Sequence, residues 1–315
     1  MSAAVNQQIS RINDVLYFIH KDISQELMAK DLAAVAAYSE QHFHRVFRRV
    51  VGESVHDYIR RARLEFAANN FMFDNQASVL DVATKCGFAS VSSFSRAFKS
   101  IFGVSPGAWR KVEQVSQTHQ PNTYKPYLQD DEIAKKYKRL EGMPIPKVQI
   151  IELPPRHVAY VRHQGYDRSI KLAWQTLLAW AKQERRDYSQ QFALHHSNPA
   201  WVELSQCRYV ACIGIDKPLQ RRGLVNSLTI PGGLHGVFKL QGQYGELLPQ
   251  LSLILEQWLP NSGFKMQSTP AYVHYKKNHF LAGDEKFELI FFASFYLMAA
   301  RLMMAWQSMA SGKVP

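Results

Sequence analysis

A short segment of this chain occurs twice, and the repeat constrains the fold more than any other feature. The first copy covers residues 43–48, FHRVFR, and the second covers residues 94–99, FSRAFK; Gly52 and Gly103 follow at the same distance. In each copy the apolar residues recur three and four positions apart, which is the spacing of one helix face. The repeat therefore predicts two equivalent amphipathic helices, whose buried stripes are Phe43, Val46, Phe47 and Val50, and Phe94, Ala97, Phe98 and Ile101.

Each predicted helix follows a short apolar segment and a tight turn, which is the arrangement of a helix-turn-helix unit. In the first unit the turn lies around Ala37-Tyr38, and the hydroxyl of Ser39 is placed to cap the helix. In the second unit Gly87 supplies the turn and Ser90 the cap. The chain therefore predicts two helix-turn-helix units in its first 112 residues.

The outward face of both helices carries side chains that can donate hydrogen bonds to base edges and phosphates. These are Gln41, His44, Arg45 and Arg48 in the first helix, and Ser92, Ser95, Arg96 and Lys99 in the second. Between the units, residues 55–71 predict a helix of about 26 Å, at about 1.5 Å per residue. Such a strut can hold two recognition helices near one DNA turn apart, about 34 Å. The hypothesis is that one chain contacts two successive major grooves; the alternative is a helical bundle with a charged outer face.

Length, charge and cysteine content limit the classes of protein to which the chain can belong. The chain has 315 residues, enough for two domains, and a formal net charge of +12. Residues 1–112 carry 14 basic and 10 acidic side chains, whereas residues 147–315 carry 19 and 11. Three cysteines argue against a disulfide framework and fit a reducing cytosol. We therefore expect a cytoplasmic protein with no signal peptide, metal or cofactor.

The second half of the chain changes character. Residues 113–146 are rich in polar and charged residues and predict a linker. Residues 147–291 alternate between strand-like and amphipathic helical segments, and a loose repeat, RHQGYD and LQGQYG, predicts duplicated strand-helix-strand units. Residues 292–315 form an apolar tail, and the apolar run from Leu289 to Trp306 favours a packed helix over a membrane span because Arg301 interrupts it. The fold class is thus multidomain, an all-α N-terminal domain followed by an α+β domain.

Residues from about 9 to 111 resemble the DNA-binding domain of AraC/XylS-family regulators. The resemblance is carried by GFASVSSFSRAFKSIFGVSPGAWR, residues 87–110. It implies base contacts from Gln41, His44 and Arg45 in the first helix and from Val91, Ser92 and Arg96 in the second. The chain departs from the family at the first turn, where Ala37 stands in place of glycine. If that turn has a positive φ, the strain is a few tenths to about 1 kcal/mol.

Residues from about 147 to 291 resemble the GyrI-like effector-binding domain, in the segments LPPRHVAYVRHQGYD, CRYVACIGID and IPGGLHGVFKLQGQYGELLPQLSLILEQWLP. The resemblance implies a cleft between duplicated units that binds small, often hydrophobic or cationic molecules. The candidate aromatic residues are Tyr160, Tyr166, Trp201 and Tyr272, with burial in a core as the alternative for each.

The family commonly places a glutamate in a late strand, and Val273 stands at that position here. A buried carboxylate would balance a desolvated cation, so its absence favours a neutral aromatic or anionic ligand. Glu203 or Glu288 could take the place of the missing acid.

These observations predict a sequence-specific transcription regulator and not an enzyme. We expect it to bind double-stranded DNA at a promoter or operator, a small-molecule effector and RNA polymerase, and to require no membrane. Two alternatives stay open. The C-terminal domain could be a small hydrolase fused to a DNA-binding module, or a module that sequesters another protein through its basic half.

Overall fold

The computed structural model of the chain describes residues 3–73, 77–116, 144–199, 201–219, 224–266 and 271–297, with 131, 135 and 138 between them. Most of the predicted linker, and the tail beyond Leu297, lie outside the described residues. Up to residue 116 the described residues form helices and turns without a strand, as predicted. The helices are α1 Ala3–Lys21, α2 Ala29–Val35, α3 Glu40–Val51, α4 Val55–Phe73, α5 Val79–Lys85, α6 Val91–Phe102 and α7 Pro106–Ser116.

The two helix-turn-helix units have matching turns and matching helix ends. The turn residues Ala37 and Gly87 both have positive φ, at 52° and 71°. The recognition helices α3 and α6 end at Gly52 and Gly103, which are left-handed and donate their backbone N–H groups to the carbonyls four residues earlier. The repeat in the sequence therefore corresponds to a repeat in backbone conformation, including the positive φ expected at Ala37.

Two details of the units differ from the prediction. Ser90 accepts the N–H of Ser93 as expected, but the hydroxyl of Ser39 makes no capping hydrogen bond although α3 begins directly after it. Ile101 was expected to be buried and is 41% exposed. Phe102 packs in its place because its ring lies 4.5 Å from that of Phe98, one helical turn earlier.

The central helix α4 belongs to both units. Its first turns pack in the core of the first unit through Val55, Tyr58 and Ile59, and its second half packs in the core of the other unit through Leu64, Ala67, Ala68 and Phe71. With 19 residues it is about 28 Å long. The guanidinium of Arg63 donates to the carbonyls of Ile23, Gln25 and Gly87 at 2.8–3.0 Å. These bonds fix α4 against the turn of the second unit, so the spacing of the recognition helices depends on this helix.

We expect Ala37→Gly to raise the free energy of unfolding by about 0.5–1 kcal/mol, because glycine adopts the positive φ of this turn without strain. The converse change, Gly87→Ala, should lower it by more than 1 kcal/mol. A Cβ at Gly87 would lie 2.5 Å from the carbonyl oxygen of Ser24. Urea denaturation of the three proteins measures both effects, and a loss of stability in Ala37→Gly would contradict the strain at this turn.

The C-terminal domain is built on one antiparallel sheet. Its strands run in the order β1-β6-β9-β8-β3-β4-β2-β5, and β7 pairs with β9. The strands are β1 Val148–Leu153, β2 Arg156–Gln164, β3 Gln191–His195, β4 Arg208–Gly214, β5 Asn226–Ile230, β6 Gly233–Gln243, β7 Phe264–Met266, β8 Ala271–Lys277 and β9 Lys286–Leu297. The helices are α8 Ile170–Gln183, α9 Leu247–Leu253 and α10 Leu259–Ser262; a π-helical segment, Ile254–Trp258, joins the last two.

The sheet consists of two equivalent halves, which confirms the predicted duplication. Strands β2, β3 and β4 with α8 form one unit, and β6, β8 and β9 with α9 and α10 form the other. In both units the third strand lies between the first and the second. The units meet where β3 pairs with β8, with Ala193 opposite Val273. Each unit is preceded in the chain by one further strand, which pairs with the other unit. Strand β1 precedes the first unit and pairs with β6 of the second, whereas β5 precedes the second unit and pairs with β2 of the first.

The two faces of the sheet are covered differently. Residues from α8, α9 and α10 pack on one face, in a core that includes Trp174, Tyr209 and Val273. Tyr160 and Tyr272 belong to a second core on the other face, and Tyr17 of α1 packs against that core. We call these the helix side and the opposite side.

The last apolar run is a strand as far as the structure describes it, so the predicted helix from Leu289 is wrong for residues 289–297. Residues 289–293 point alternately into the cores on the two faces, so this stretch is apolar throughout and shows no polar–apolar alternation in the sequence. In the described part of the chain, no helix has the length and apolar character needed to cross a membrane.

Candidate DNA-binding surface and effector site

The predicted DNA-contacting side chains lie on the outer faces of α3 and α6. Six of the eight are exposed, and His44 and Val91 are half-buried; the exposed ones are Gln41, Arg45, Arg48, Ser92, Arg96 and Lys99. The opposite faces of both helices are fixed in the cores by Phe43, Phe47, Phe94 and Phe98, which are fully buried. Each recognition helix therefore presents a polar face whose orientation is set by a repeated aromatic core.

Arg45 and Arg96 occupy equivalent positions and are free to contact a ligand. Arg45 makes a 3.5 Å contact with the Nδ1 atom of His42, and Arg96 donates to the carbonyl of Ser92 at 3.4 Å. Among the described residues neither guanidinium pairs with a carboxylate. The arginines of α4 differ, because Arg61 and Arg63 are engaged within the protein.

The five predicted effector residues do not meet in one place. Tyr160 and Tyr272 lie on the opposite side of the sheet, and Tyr166 lies on the helix side. The ring of Trp201 makes an edge contact with Trp109 of α7, with centroids 5.8 Å apart, so it lies between the domains. Glu203 is exposed at the start of a short 3₁₀ turn. Only Tyr166 belongs to a cluster of polar aromatic residues between the two units.

That cluster, which we call the aromatic–histidine cluster, consists of Tyr166, His195, Tyr209, Tyr275 and His279. The ring of His195 lies 5.4 Å from Tyr166 and 5.5 Å from Tyr209 in edge contacts. The hydroxyls of Tyr209 and Tyr275 are 3.4 Å apart, and Nε1 of Trp174 donates to Tyr209 at 3.1 Å. The rings of Tyr275 and His279 are 5.8 Å apart.

Several polar atoms of this cluster have no partner in the protein. Both ring nitrogens of His195 and the Nδ1 atom of His279 are buried without a hydrogen bond to a described residue. Burial lowers the pKa of His195 to about 4 and, with a smaller effect of His195 itself, that of His279 to about 3. Both rings are therefore neutral at physiological pH, and each can donate one hydrogen bond and accept one.

Sequence reasoning missed four of these five residues. Tyr209 and Tyr275 lie in strands whose central residues, Tyr209–Ile213 and Tyr272–Tyr275, are all apolar or aromatic, so the face of each tyrosine could not be assigned without the pairing. Val273 is fully buried on the helix side, on the central strand pair. Glu288 is exposed and lies on the opposite side of the sheet, two residues before Ile290 on the same strand. Neither Glu203 nor Glu288 therefore brings a carboxylate to the cluster.

The described residues also contain a group of serine, histidine and aspartate side chains near the start of α8. The hydroxyl of Ser169 lies 3.0 Å from Nε2 of His163 and donates to Asp167, which also accepts the Ser169 N–H. The carboxylate therefore contacts the serine and not the imidazole, unlike a catalytic triad. Cys207 and Cys212 are buried, and burial raises the pKa of both thiols.

Two known families match this chain, one in its helical N-terminal part and one in its C-terminal sheet domain. A family model described as a helix-turn-helix domain matches residues 32–112. A model described as a GyrI-like small molecule binding domain matches residues 146–291. The first match covers both helix-turn-helix units, and the second covers both units of the sheet.

Individual relatives match the N-terminal domain. The HTH-type transcriptional activator AarP of Providencia stuartii is 37% identical over 103 residues, which are 33% of this chain and 76% of AarP. The Transposon Tn10 TetD protein of Escherichia coli is 38% identical over 100 residues, 32% of this chain and 72% of TetD. A crystal structure of the DNA-binding domain of AdpA in complex with a target DNA is 25% identical, with a TM-score of 0.32; the match covers 35% of this chain and 97% of that domain.

Proposed function

The chain belongs to the AraC-type helix-turn-helix transcription regulators, and we propose that a small neutral or anionic aromatic molecule controls how it occupies its promoter or operator. The molecule binds in the GyrI-like domain. The regulator works in the cytoplasm and acts on RNA polymerase bound at the same promoter. Its C-terminal domain binds the effector without converting it, because the buried thiols carry no nucleophilic thiolate.

We propose that α3 and α6 contact successive major grooves on one face of the duplex. In this proposal Gln41, His44, Arg45, Val91, Ser92 and Arg96 contact bases, and Arg48 and Lys99 contact phosphates. The observation that supports it is the equivalence of the two exposed arginines on helices with matching turns and ends. A bidentate arginine–guanine contact is the commonest specific contact in the major groove.

The effector site that we propose is the aromatic–histidine cluster on the helix side. Its unpartnered nitrogens on His195 and His279 support this site, because buried polar atoms without partners are costly and a ligand can satisfy them. Neutral imidazoles suit a hydroxyl or carboxylate better than a cation. Val273 supports the same ligand class, since this buried apolar side chain stands where the family commonly has a glutamate.

Calorimetry on the full chain tests the ligand class with three matched probes. They are naphthalenes that carry a carboxylate, a hydroxymethyl group or a trimethylammonium group. We expect the carboxylate or the alcohol to bind tightest, and His195→Phe to weaken binding at least tenfold. The control His157→Phe, on the β2–β5 side of the sheet, should leave it unchanged, since the imidazole of His157 hydrogen-bonds Thr229 there and not a residue of the cluster.

Tightest binding by the cation would overturn the proposed ligand class. Glu246 would then be the residue to examine, because its buried carboxylate lies at the start of α9. Loss of cation binding in Glu246→Gln would identify it as the acid that replaces the missing glutamate. No binding of any probe in the presence of a folded chain would count against the site itself.

A further inference from the structure

The loop between β3 and β4, residues 196–207, lies against the DNA-binding domain. The ring of His196 is 5.0 Å from that of His20 in α1, and Asn198 donates to Asn69 of α4 at 3.1 Å. Trp201 contacts Trp109 of α7. One loop of the effector domain thus contacts three helices of the other domain.

A buried chain of alternating charges begins at the end of this loop. Arg208 pairs with Glu65 of α4, Glu65 pairs with Arg61 at 2.6 Å, and Arg61 pairs with Glu53. The side chains of Glu65 and Arg208 are only 5% and 12% exposed. We call these four residues the ion chain. Glu53 follows directly on Gly52, so the ion chain runs from the effector domain to the end of the first recognition helix.

Breaking the contact between Arg208 and Glu65 is energetically costly. Removal of one partner of a buried ion pair leaves an uncompensated charge, which is far more costly than the loss of an exposed pair. Ser197 adds to the same site, because its hydroxyl donates to Glu65 at 3.3 Å and accepts the N–H of Arg208 at 3.2 Å. Buried ion pairs and hydrogen bonds thus hold the two domains in this docked arrangement.

Tyr166 joins the ion chain to the aromatic–histidine cluster. Its hydroxyl lies within hydrogen-bond distance of two carbonyls, at 3.1 Å from that of Ser197 and 3.3 Å from that of Arg208. Its backbone N–H donates to Leu204 at 2.8 Å. The ring contacts both His195 and Tyr209. A ligand that displaces Tyr166 from the cluster therefore acts directly on the backbone at both ends of the loop.

We propose that Tyr166, the 196–207 loop and the ion chain transmit ligand binding at the aromatic–histidine cluster to α4 and the first recognition helix. The inference rests on the proposed effector site. Both Tyr166 and Glu65 are positioning residues in it, since both side chains are buried and present no surface to DNA. A movement of Arg208 is carried to α4 because Arg208 is one of the two cations that pair with the buried carboxylate of Glu65, and losing either one is costly there. The spacing of α3 and α6 on DNA then depends on how the C-terminal domain is docked.

A double-mutant cycle on the full chain tests this coupling without any effector. The ligand is a duplex that the protein itself selects from a random-sequence pool. We expect Tyr166→Phe, which removes only the hydroxyl, to change the affinity for this duplex at least fivefold. In a Glu65→Gln background, Tyr166→Phe should change the logarithm of the affinity by less than half as much. The control Arg168→Ala breaks an exposed ion pair with Glu285 in the same domain and should leave the affinity unchanged.

Each outcome decides the proposal. Additive effects of Tyr166→Phe and Glu65→Gln, or no effect of Tyr166→Phe on a folded chain, would overturn it. A purely structural role would lower stability in denaturation without changing the affinity of the folded protein. If Glu65→Gln does not fold, Ser197→Ala replaces it in the cycle, since it removes one bond to Glu65 and leaves every charge in place. Because no effector is used, failure of naphthalene binding leaves this result intact.

Discussion

Replacement of either Arg45 or Arg96 by alanine is expected to lower the affinity for the selected duplex by about 1–3 kcal/mol, or about 5- to 150-fold. Both side chains are exposed at equivalent positions of helices whose buried faces are fixed by aromatic residues. The double variant should show the sum of the two effects, because the sites lie in separate units. Fluorescence anisotropy with the selected duplex and with a scrambled duplex measures both.

Arg186→Ala is the matched control, since it removes the same charge from an exposed position of the C-terminal domain. It should change the affinity by less than twofold. Equal losses on the selected and scrambled duplexes would show that Arg45 and Arg96 contact only phosphates. That result would contradict their assignment to base contacts.

Phe98→Ala should lower the free energy of unfolding by about 3–5 kcal/mol, since it opens a cavity in the core of the second unit. The ring of Phe98 is fully buried and contacts Phe71, Phe94, Phe102 and Trp109. Phe47→Ala should have a similar effect in the first unit, where Phe47 contacts Phe43 and Tyr58. Urea denaturation followed by circular dichroism provides the measurement.

Ile101→Ala distinguishes the observed core from the core predicted by apolar residues three and four positions apart. Ile101 was expected at the end of the buried stripe, but it is 41% exposed. The substitution should therefore cost less than about 1 kcal/mol, as for a surface change. A loss as large as that of Phe98→Ala would contradict the exposed position of Ile101.

The helical half of the fold was predictable because its signals are local. Neighbouring residues of each turn, cap and stripe lie within about four positions of one another, and each signal occurs twice, 51 residues apart for the cap and stripe and 50 for the turn. The positive φ of Ala37 agrees with the family resemblance, in which glycine stands at this turn. Ile101 shows the limit of this approach, because spacing alone does not decide which of two neighbouring apolar residues packs inward.

The effector site was harder to predict because it depends on pairing between distant strands. Tyr160, Tyr166 and Tyr272 are equally plausible from sequence, but a one-residue difference in position moves a strand side chain to the other face. His195 and His279 became candidates only through their unpartnered nitrogens. Trp201 and Arg208 contact residues more than ninety positions away, and no pattern in the chain indicates such contacts.

The most direct test of the account is the number of chains on a selected site. Two helix-turn-helix units joined by α4 in one chain should read two elements about one helical turn apart. Sequencing of the selected pool should therefore give two different conserved elements about 10 base pairs apart, and native mass spectrometry should give one chain per duplex. A palindromic site that binds only two chains, with one element protected by each, would contradict it.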